Sequence, residues 1–220
     1  MIKAVIFDMD GALIDSEPYY LQQRNEYFQL IGVDVDDLRL QNMVGGNMKI
    51  VLPQLLPGKS EAEYDRLRAG YRYYKSRHPQ DFNATLMADT KSTIAALRAE
   101  GLTLALASSS ERSTIEDMLN TTGLAGNFSV ILSGADFPKS KPDPSIYLNA
   151  LAKLDVAATE AVAVEDSQMG IAAAQAAGIF TFAVAVSDPR VATDQSAADA
   201  HVANLTALLP QLAHMRKVTR

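Results

Sequence analysis

Short apolar runs recur along the chain, and within each run the apolar residues are continuous rather than alternating. The runs are rich in Val, Ile and Leu, and they cover residues 4–7, 102–107, 129–133, 161–164 and 181–186, with a weaker run at 201–204. Strands that are buried on both faces of a parallel sheet have this pattern. The runs therefore predict the strands of a parallel sheet.

Helical segments with recognisable ends separate most of these runs. Asp143 can cap a helix that has Pro144 in its first turn and continues through Leu154. Three further segments are each followed by a glycine, the residue that most often follows a helix end: residues 88–100, 112–122 and 167–177. Strand and helix alternate from about residue 84 onward, which predicts an α/β fold with a doubly wound parallel sheet.

The stretch 16–83 interrupts this alternation, because it shows helical periodicity and no convincing strand. One side of its first predicted helix carries the apolar residues Leu21, Tyr27, Phe28 and Ile31. We therefore predict a core domain formed by residues 1–15 and 84–220, with residues 16–83 inserted as an all-helical domain.

Composition and charge narrow the class of protein. Apolar residues make up 48% of the 220 residues and charged residues 21%, which is typical of a globular protein with a sizeable core. The net charge is -6 and the isoelectric point is about 5.1. Proteins that bind nucleic acid usually carry a basic stripe, so we expect no nucleic-acid partner.

The chain contains no cysteine, which excludes disulfides and thiolate metal sites and fits a reducing compartment. The first predicted strand begins too close to the N-terminus to leave room for a signal peptide, and no apolar run approaches the roughly 20 residues that span a bilayer. We expect a soluble, cytoplasmic protein without a membrane partner. Nothing in the sequence demands more than a monomer.

Chemistry-bearing residues follow four of the predicted strands. Ligands of a parallel sheet bind beyond the carboxyl ends of its strands, so residues at those ends meet along one edge. The candidates are Asp8 and Asp10 after the first strand, Ser108 and Ser109 after the second, Lys141 after the third, and Glu165 and Asp166 after the fourth. Their convergence is a stronger signal than any one of the segments.

The acidic members of this set indicate a cation and a phosphoryl group. Asp8, Glu165 and Asp166 together bring excess negative charge, which raises pKa values or demands a cation. Mg²⁺ suits such oxygen ligands, and it permits a phosphoryl group to approach an anionic nucleophile. The Ser108 hydroxyl and the Lys141 ammonium suit phosphate oxygens.

Two carboxylates can also divide the work of phosphoryl transfer. One can attack phosphorus to form an aspartyl-phosphate, while a second acid protonates the leaving oxygen and afterwards activates water. Asp8 and Asp10 are suited to these two roles.

The ordered set resembles a known superfamily. Residues 8–16, Asp-Met-Asp-Gly-Ala-Leu-Ile-Asp-Ser, resemble the first motif of the haloacid dehalogenase (HAD) superfamily. Ser108, Lys141 and the Glu165–Asp166 pair fall where its second, third and fourth motifs are expected. Residues 164–178 are similar to the phosphatase and β-phosphoglucomutase branch. The resemblance covers essentially the whole chain, and it implies that the helical insert is a cap domain.

The resemblance implies a role for each acid. Asp8 is expected to be the nucleophile and a Mg²⁺ ligand, and Asp10 the general acid and base whose backbone carbonyl also reaches the metal. Asp166 is expected to bind the metal, with Glu165 close by or acting through water.

The resemblance also implies phosphate contacts and a substrate-facing loop. Ser108 and Lys141 are expected to hold the transferring phosphoryl group, and Ser109 can add its backbone N–H. Relatives place a substrate-facing loop where this chain has residues 44–47, with Lys49 just beyond. Ala12 stands where the phosphatases often have threonine.

We predict a Mg²⁺-dependent phosphatase that acts on a small phosphorylated metabolite such as a sugar phosphate. A sugar phosphomutase is the alternative, but mutase relatives have a histidine soon after the first motif. In this chain the corresponding neighbourhood contains Tyr20, and the first histidine is His78. A receiver-like signalling module is a second alternative. Receiver domains cluster similar residues, but they are much shorter and have no helical insert.

Overall fold

The computed structural model describes residues 1–34, 48–186 and 193–218. Its strands are β1 (Ala4–Phe7), β2 (Thr103–Ser108), β3 (Val130–Ser133), β4 (Ala161–Glu165), β5 (Phe180–Val184) and β6 (Ala200–Val202). Its α-helices are α1 (Glu17–Leu30), α2 (Met48–Leu55), α3 (Glu61–Arg77), α4 (Phe82–Thr85), α5 (Thr90–Ala99), α6 (Arg112–Thr122), α7 (Ser145–Leu154), α8 (Gln168–Ala176) and α9 (Leu208–Val218).

The strands form one six-stranded sheet in the order β3-β2-β1-β4-β5-β6, and every neighbouring pair is parallel. The predicted α/β fold with a doubly wound parallel sheet is thus confirmed. The first strand of the chain lies in the interior of the sheet, where Phe7 pairs with Leu106 on one side and Val164 on the other. Residues that directly follow β1 therefore emerge between the ends of β2 and β4.

The two faces of the sheet differ in the size of their side chains. One face carries large apolar residues that pack against α5, α6 and α9: Val5, Phe7, Leu104, Leu106, Val162 and Val164. The other face, which packs against α7 and α8, is rich in alanine (Ala4, Ala105, Ala107, Ala161 and Ala163), although Ile6, Val130 and Leu132 also lie on it. Burial of a large aliphatic side chain contributes about 1.5–3 kcal/mol, so the first face supplies much of the stability. The alanine face leaves room for larger side chains from its helices.

The ends of the helices follow local sequence signals. Gly123 ends α6 in the left-handed conformation, with φ 74°. Ser167 caps α8, because its hydroxyl accepts a hydrogen bond from the Gly170 N–H at 3.1 Å. Helix α7 begins one residue later than the predicted capping pattern implied: Pro144 occupies the cap position, and Asp143 Oδ1 accepts from the Ser145 N–H at 3.0 Å.

The chain divides into two compact units. Among the described residues, the α/β unit comprises 1–15, 82–186 and 193–218, and the helical unit comprises 16–34 and 48–81. Across the described residues, no helix is both long enough and apolar enough to cross a bilayer.

The helical unit has its own small core and its own capping signal. Its buried apolar cluster consists of Phe28, Val51, Leu52, Leu55 and Tyr64. Helix α3 begins with a capping box, in which the Ser60 hydroxyl accepts from the Glu63 N–H and the Glu63 carboxylate accepts from the Ser60 N–H. Packing and capping together hold these helices as one unit.

Two tyrosines of the helical unit, Tyr27 and Tyr64, bond to backbone carbonyl oxygens. The Tyr27 hydroxyl donates to the Leu67 carbonyl at 2.8 Å, and the Tyr64 hydroxyl donates to the Leu56 carbonyl at 2.8 Å. Gly70 lies in the interior of α3, where glycine is unfavourable, but a Cβ at this position would lie 2.6 Å from the Tyr27 hydroxyl oxygen. The glycine thus makes room for the Tyr27 hydroxyl.

Candidate active site

The first predicted acid follows β1 directly and is buried. The Asp8 N–H donates to the Val164 carbonyl at 2.9 Å, which continues the sheet one residue beyond the strand. The chain then turns at Gly11, whose φ of 78° favours glycine, and the Gly11 N–H donates to the Ile14 carbonyl at 2.8 Å. The strand end and this turn fix the Asp8 carboxylate at the carboxyl edge of the sheet.

Lys141 binds two of the acids. Its ammonium donates to Asp8 Oδ1 at 2.6 Å, to Glu165 Oε1 at 2.6 Å and to the Ala107 carbonyl at 2.9 Å. Burial alone would lower the pKa of Lys141, but the neighbouring Asp8 and Glu165 carboxylates hold it well above its ordinary value. Lys141 is therefore a permanently charged group at the centre of the site.

A third buried carboxylate, that of Asp166, lies beside the two that Lys141 contacts. Oxygen atoms of Asp8, Glu165 and Asp166 all lie within 4.8 Å of one another. Burial raises the pKa of Asp8 to about 8. The positive charge of Lys141 opposes this rise, and the negative charges of Glu165 and Asp10 add to it. A set of carboxylate oxygens with surplus negative charge suits a hard divalent cation such as Mg²⁺, so the residues present fit the predicted metal.

Two glycines make room for these acids. A Cβ at Gly11 would overlap the Asp166 carboxylate, and a Cβ at Gly170 would overlap the Glu165 carboxylate. Gly170 lies in the first turns of α8, so the Glu165 carboxylate packs against the N-terminal end of that helix, where negative charge is favourable. Any side chain at either position would displace a carboxylate.

Asp10 and Ser108 are linked through a serine that was not among the predicted site residues. The Ser110 hydroxyl donates to Asp10 Oδ2 at 2.7 Å, and the Ser110 N–H donates to the Ser108 hydroxyl at 3.0 Å. The Ser133 hydroxyl in turn donates to the Ser110 carbonyl at 2.7 Å. Ser110 is therefore held by its backbone while its hydroxyl orients Asp10.

The structure thus brings four predicted residues into direct proximity: Asp8, Lys141, Glu165 and Asp166. Asp10 and Ser108 join them through Ser110, whereas the side chain of Ser109 is exposed. The predicted substrate-facing loop at residues 44–47 lies outside the described residues.

Tyr147 is the second residue that sequence reasoning missed. It is fully buried on α7, and its hydroxyl donates to Glu165 Oε1 at 2.5 Å. Its position among apolar neighbours on one face of α7 is typical of a core residue, so the sequence held no signal for the polar contact. Ser110 could have been found, because it belongs to the run of serines after β2.

Comparison with known protein families agrees with this geometry. A family model described as "Haloacid dehalogenase-like hydrolase" matches residues 5–184, from within β1 to the end of β5. This chain belongs to the haloacid dehalogenase-like hydrolases. The resemblance noted in the sequence is thereby confirmed, and the matched span contains all of the predicted site residues.

Relatives of this haloacid dehalogenase-like hydrolase include phosphatases and a mutase. Hexitol phosphatase B of Escherichia coli (strain K12) is 31% identical over 219 residues, covering 94% of each chain. The β-phosphoglucomutase of Bacillus subtilis is 28% identical over 204 residues, covering 88% of each chain. The crystal structure of CbbY from Rhodobacter sphaeroides in complex with phosphate superimposes with a TM-score of 0.74, at 25% identity, over 94% of this chain and 96% of that one. The predicted enzyme class, a haloacid dehalogenase-family phosphatase with a phosphomutase as the alternative, is confirmed by these relatives.

Proposed function

We propose that this hydrolase is a Mg²⁺-dependent phosphatase of a small phosphorylated metabolite, with a sugar phosphate as the expected substrate. One observation carries the proposal: a buried carboxylate, Asp8, lies at the end of a central strand, hydrogen bonded to Lys141 and beside Asp166. Relatives named hexitol phosphatase and phosphoglycolate phosphatase support the substrate class.

The metal would be held by Asp8 and Asp166, with Glu165 close by and the Asp10 backbone carbonyl as a further ligand. Bound there, Mg²⁺ would supply positive charge that favours the ionised form of Asp8 and offsets the charge of the phosphoryl group. This assignment draws on the family resemblance together with the fit of the carboxylate oxygens to a hard cation.

In the first half of the reaction, an Asp8 carboxylate oxygen attacks phosphorus and forms a P–O bond. The bond between phosphorus and the ester oxygen breaks, and Asp10 gives its proton to that leaving oxygen. The Ser110 hydroxyl, at 2.7 Å from Asp10 Oδ2, keeps the acid oriented before substrate arrives.

In the second half, Asp10 accepts a proton from water, and the resulting hydroxide oxygen attacks phosphorus. The bond between phosphorus and Asp8 breaks, which releases inorganic phosphate and restores the carboxylate. The Ser108 hydroxyl and the Ser109 N–H would donate hydrogen bonds to the phosphoryl oxygens through both halves, and the positive charge of Lys141 would attract those oxygens.

The helical unit is assigned the role of a cap that sets substrate choice. This assignment rests on the family resemblance, in which a helical insert follows the first motif. A monomeric state and a cytoplasmic location stay predictions from the sequence.

A phosphomutase is the second candidate, because a β-phosphoglucomutase is 28% identical to this chain. A mutase must return the phosphoryl group to a sugar hydroxyl, and its relatives carry a histidine near the position of Tyr20. A coupled assay that compares isomerisation of β-glucose 1-phosphate with release of phosphate separates the two. Phosphate release without isomerisation is the expected result.

The phosphatase proposal is tested by screening phosphorylated metabolites with Mg²⁺ present and after its removal by a chelator. We expect release of phosphate only with the metal, and we expect Asp8→Asn to lower turnover by about 10³-fold or more while the protein stays folded. Asp117→Asn, on the exposed side of α6, is the matched control and should retain full activity. Turnover by Asp8→Asn at the parental rate would show that Asp8 is not the nucleophile.

A further inference from the structure

Tyr147 is a polar residue in an otherwise apolar layer. Its side chain is 0% exposed and packs on the alanine face of the sheet, among residues that include Ala105, Ala107 and Ala163. The small side chains of this face provide the room that a phenol ring requires. A buried hydroxyl is costly unless it finds a partner, so the position of its hydrogen-bond acceptor is informative.

The acceptor of the Tyr147 proton is Glu165. The Tyr147 oxygen lies 2.5 Å from Glu165 Oε1 and 3.5 Å from Lys141 Nζ. The lysine ammonium has three hydrogens, and three shorter contacts, to Asp8, Glu165 and the Ala107 carbonyl, already use them. The Tyr147 hydroxyl therefore hydrogen bonds to Glu165 and not to Lys141.

Glu165 is consequently bonded at both of its oxygens. Oε1 accepts from Lys141 and Tyr147, while Oε2 accepts more distant bonds from the Asp166 N–H and the Ser167 hydroxyl, each at 3.3 Å. The side chain is 0% exposed, and the absent Cβ of Gly170 provides the space in which it lies. A carboxylate held in this way has a single orientation. That orientation determines the direction in which Lys141 donates one of its three hydrogens.

We propose that Tyr147 is a positioning residue for phosphoryl transfer: its hydroxyl fixes Glu165, and Glu165 directs the Lys141 ammonium at Asp8. The proposal rests on the proposed phosphatase function and adds to it a residue that touches neither substrate nor metal. Without the hydroxyl, Glu165 Oε1 keeps Lys141 as its only donor and draws the ammonium toward itself. The hydrogen bond to Asp8 then weakens, although the aromatic packing is preserved.

The kinetic test compares Tyr147→Phe with Tyr64→Phe. Both changes remove one buried hydroxyl, but that of Tyr64 donates to the Leu56 carbonyl in the helical unit. With Mg²⁺ and p-nitrophenyl phosphate, we expect Tyr147→Phe to lower kcat roughly 10-fold to 100-fold with KM little changed. Tyr64→Phe should lower the melting temperature and leave kcat at the parental value. A parental kcat in Tyr147→Phe would overturn the proposal.

A second measurement follows Lys141 without any turnover. In metal-free protein labelled with ¹⁵N-lysine, the buried ammonium should give a slowly exchanging signal that disappears in Lys141→Met. We expect that signal to shift and its hydrogens to exchange faster in Tyr147→Phe, whereas Tyr64→Phe leaves it unchanged. A parental signal in Tyr147→Phe would overturn the proposal even if kcat falls. A parent protein that cleaves no phosphate ester would refute the phosphatase function, and the signal alone would then decide whether Tyr147 positions Lys141.

Discussion

Buried tyrosines in the two units make contrasting hydrogen bonds. In the helical unit, Tyr27 and Tyr64 donate to backbone carbonyls, and no ionised side chain takes part in those two bonds. In the α/β unit, Tyr147 donates to Glu165, which in turn accepts from Lys141. Tyr27 and Tyr64 therefore make neutral contacts, whereas Tyr147 belongs to a charged network.

The difference shows how a packing residue and a functional residue can be distinguished when both are buried. The Tyr27 and Tyr64 hydroxyls bond to backbone carbonyls within the helical unit, so we expect their loss to affect the stability of that unit. A hydroxyl that bonds to a carboxylate influences every group that shares the carboxylate. Substitutions in the two units should therefore separate loss of stability from loss of catalysis.

The largest expected difference is between two lysines. Lys141→Met leaves the Asp8 and Glu165 carboxylates buried without their cation, so we expect turnover at background level and a loss of roughly 3–5 kcal/mol in the free energy of unfolding. Lys75→Met in the helical unit removes an exposed ammonium that lies 4.9 Å from the Tyr20 ring centroid, a contact that contributes about 1 kcal/mol or less. Denaturant unfolding and phosphate release measure both effects, and equal losses in the two variants would contradict the distinction between the units.

An intermediate effect should appear in the dependence of stability on pH. The pKa of Asp8 is raised from 3.8 to about 8 in the folded, metal-free protein. Between these values the folded chain holds a proton that the unfolded chain has released, so the free energy of unfolding should fall as pH rises through this window. The raised pKa of Lys141 acts only at higher pH, above its ordinary value of 10.5.

The control for this measurement is Asp8→Asn in the same chelator-containing buffers. Subtracting its unfolding free energies from those of the parent cancels the carboxylates that do not interact with Asp8. The difference should decline with pH between about 4 and 8, by at most about 1.4 kcal/mol per pH unit. A flat difference would mean that the Asp8 proton is not retained on folding.

The smallest expected effect belongs to a neutral hydrogen bond of the helical unit. Tyr27→Phe removes the bond to the Leu67 carbonyl and should lower the free energy of unfolding by about 1 kcal/mol, with kcat unchanged. Tyr73→Phe, at a position that is 70% exposed, should change neither quantity. If Tyr27→Phe lowered kcat as strongly as Tyr147→Phe, the neutral and charged networks would have to be regarded as equivalent.

The sheet was predictable because strands buried on both faces are apolar throughout. Residues 4–7 and 161–164 stand out as short Val-rich and Ala-rich runs, and both are strands in the structure. The end of the helix preceding Gly123 was also predictable, because glycine is the residue that most readily adopts the left-handed conformation found there. The acids and Lys141 could be selected because residues at the carboxyl ends of parallel strands converge, a rule of topology that needs no coordinates.

The connections between these residues were not predictable. Tyr147 occupies a position that sequence periodicity assigns to the core, and only the alanines of the facing strands and the location of Glu165 reveal its bond. Ser110 was one of three consecutive serines, and their individual contacts depend on how the chain turns after β2. The positions after the strand ends and the family resemblance indicate which groups take part, whereas hydrogen-bond partners follow from the packed structure.

Gly11 and Gly170 have a consequence for the natural variation that this protein can tolerate. Each acts through an atom that it lacks, since the missing methyl group is the volume that a carboxylate occupies. Even alanine, the smallest replacement, would force the Asp166 or the Glu165 carboxylate to move, and at Gly11 it would also strain a backbone with φ 78°. A search for function among reactive side chains would pass over both positions, although a side chain at either one would move an acid of the site.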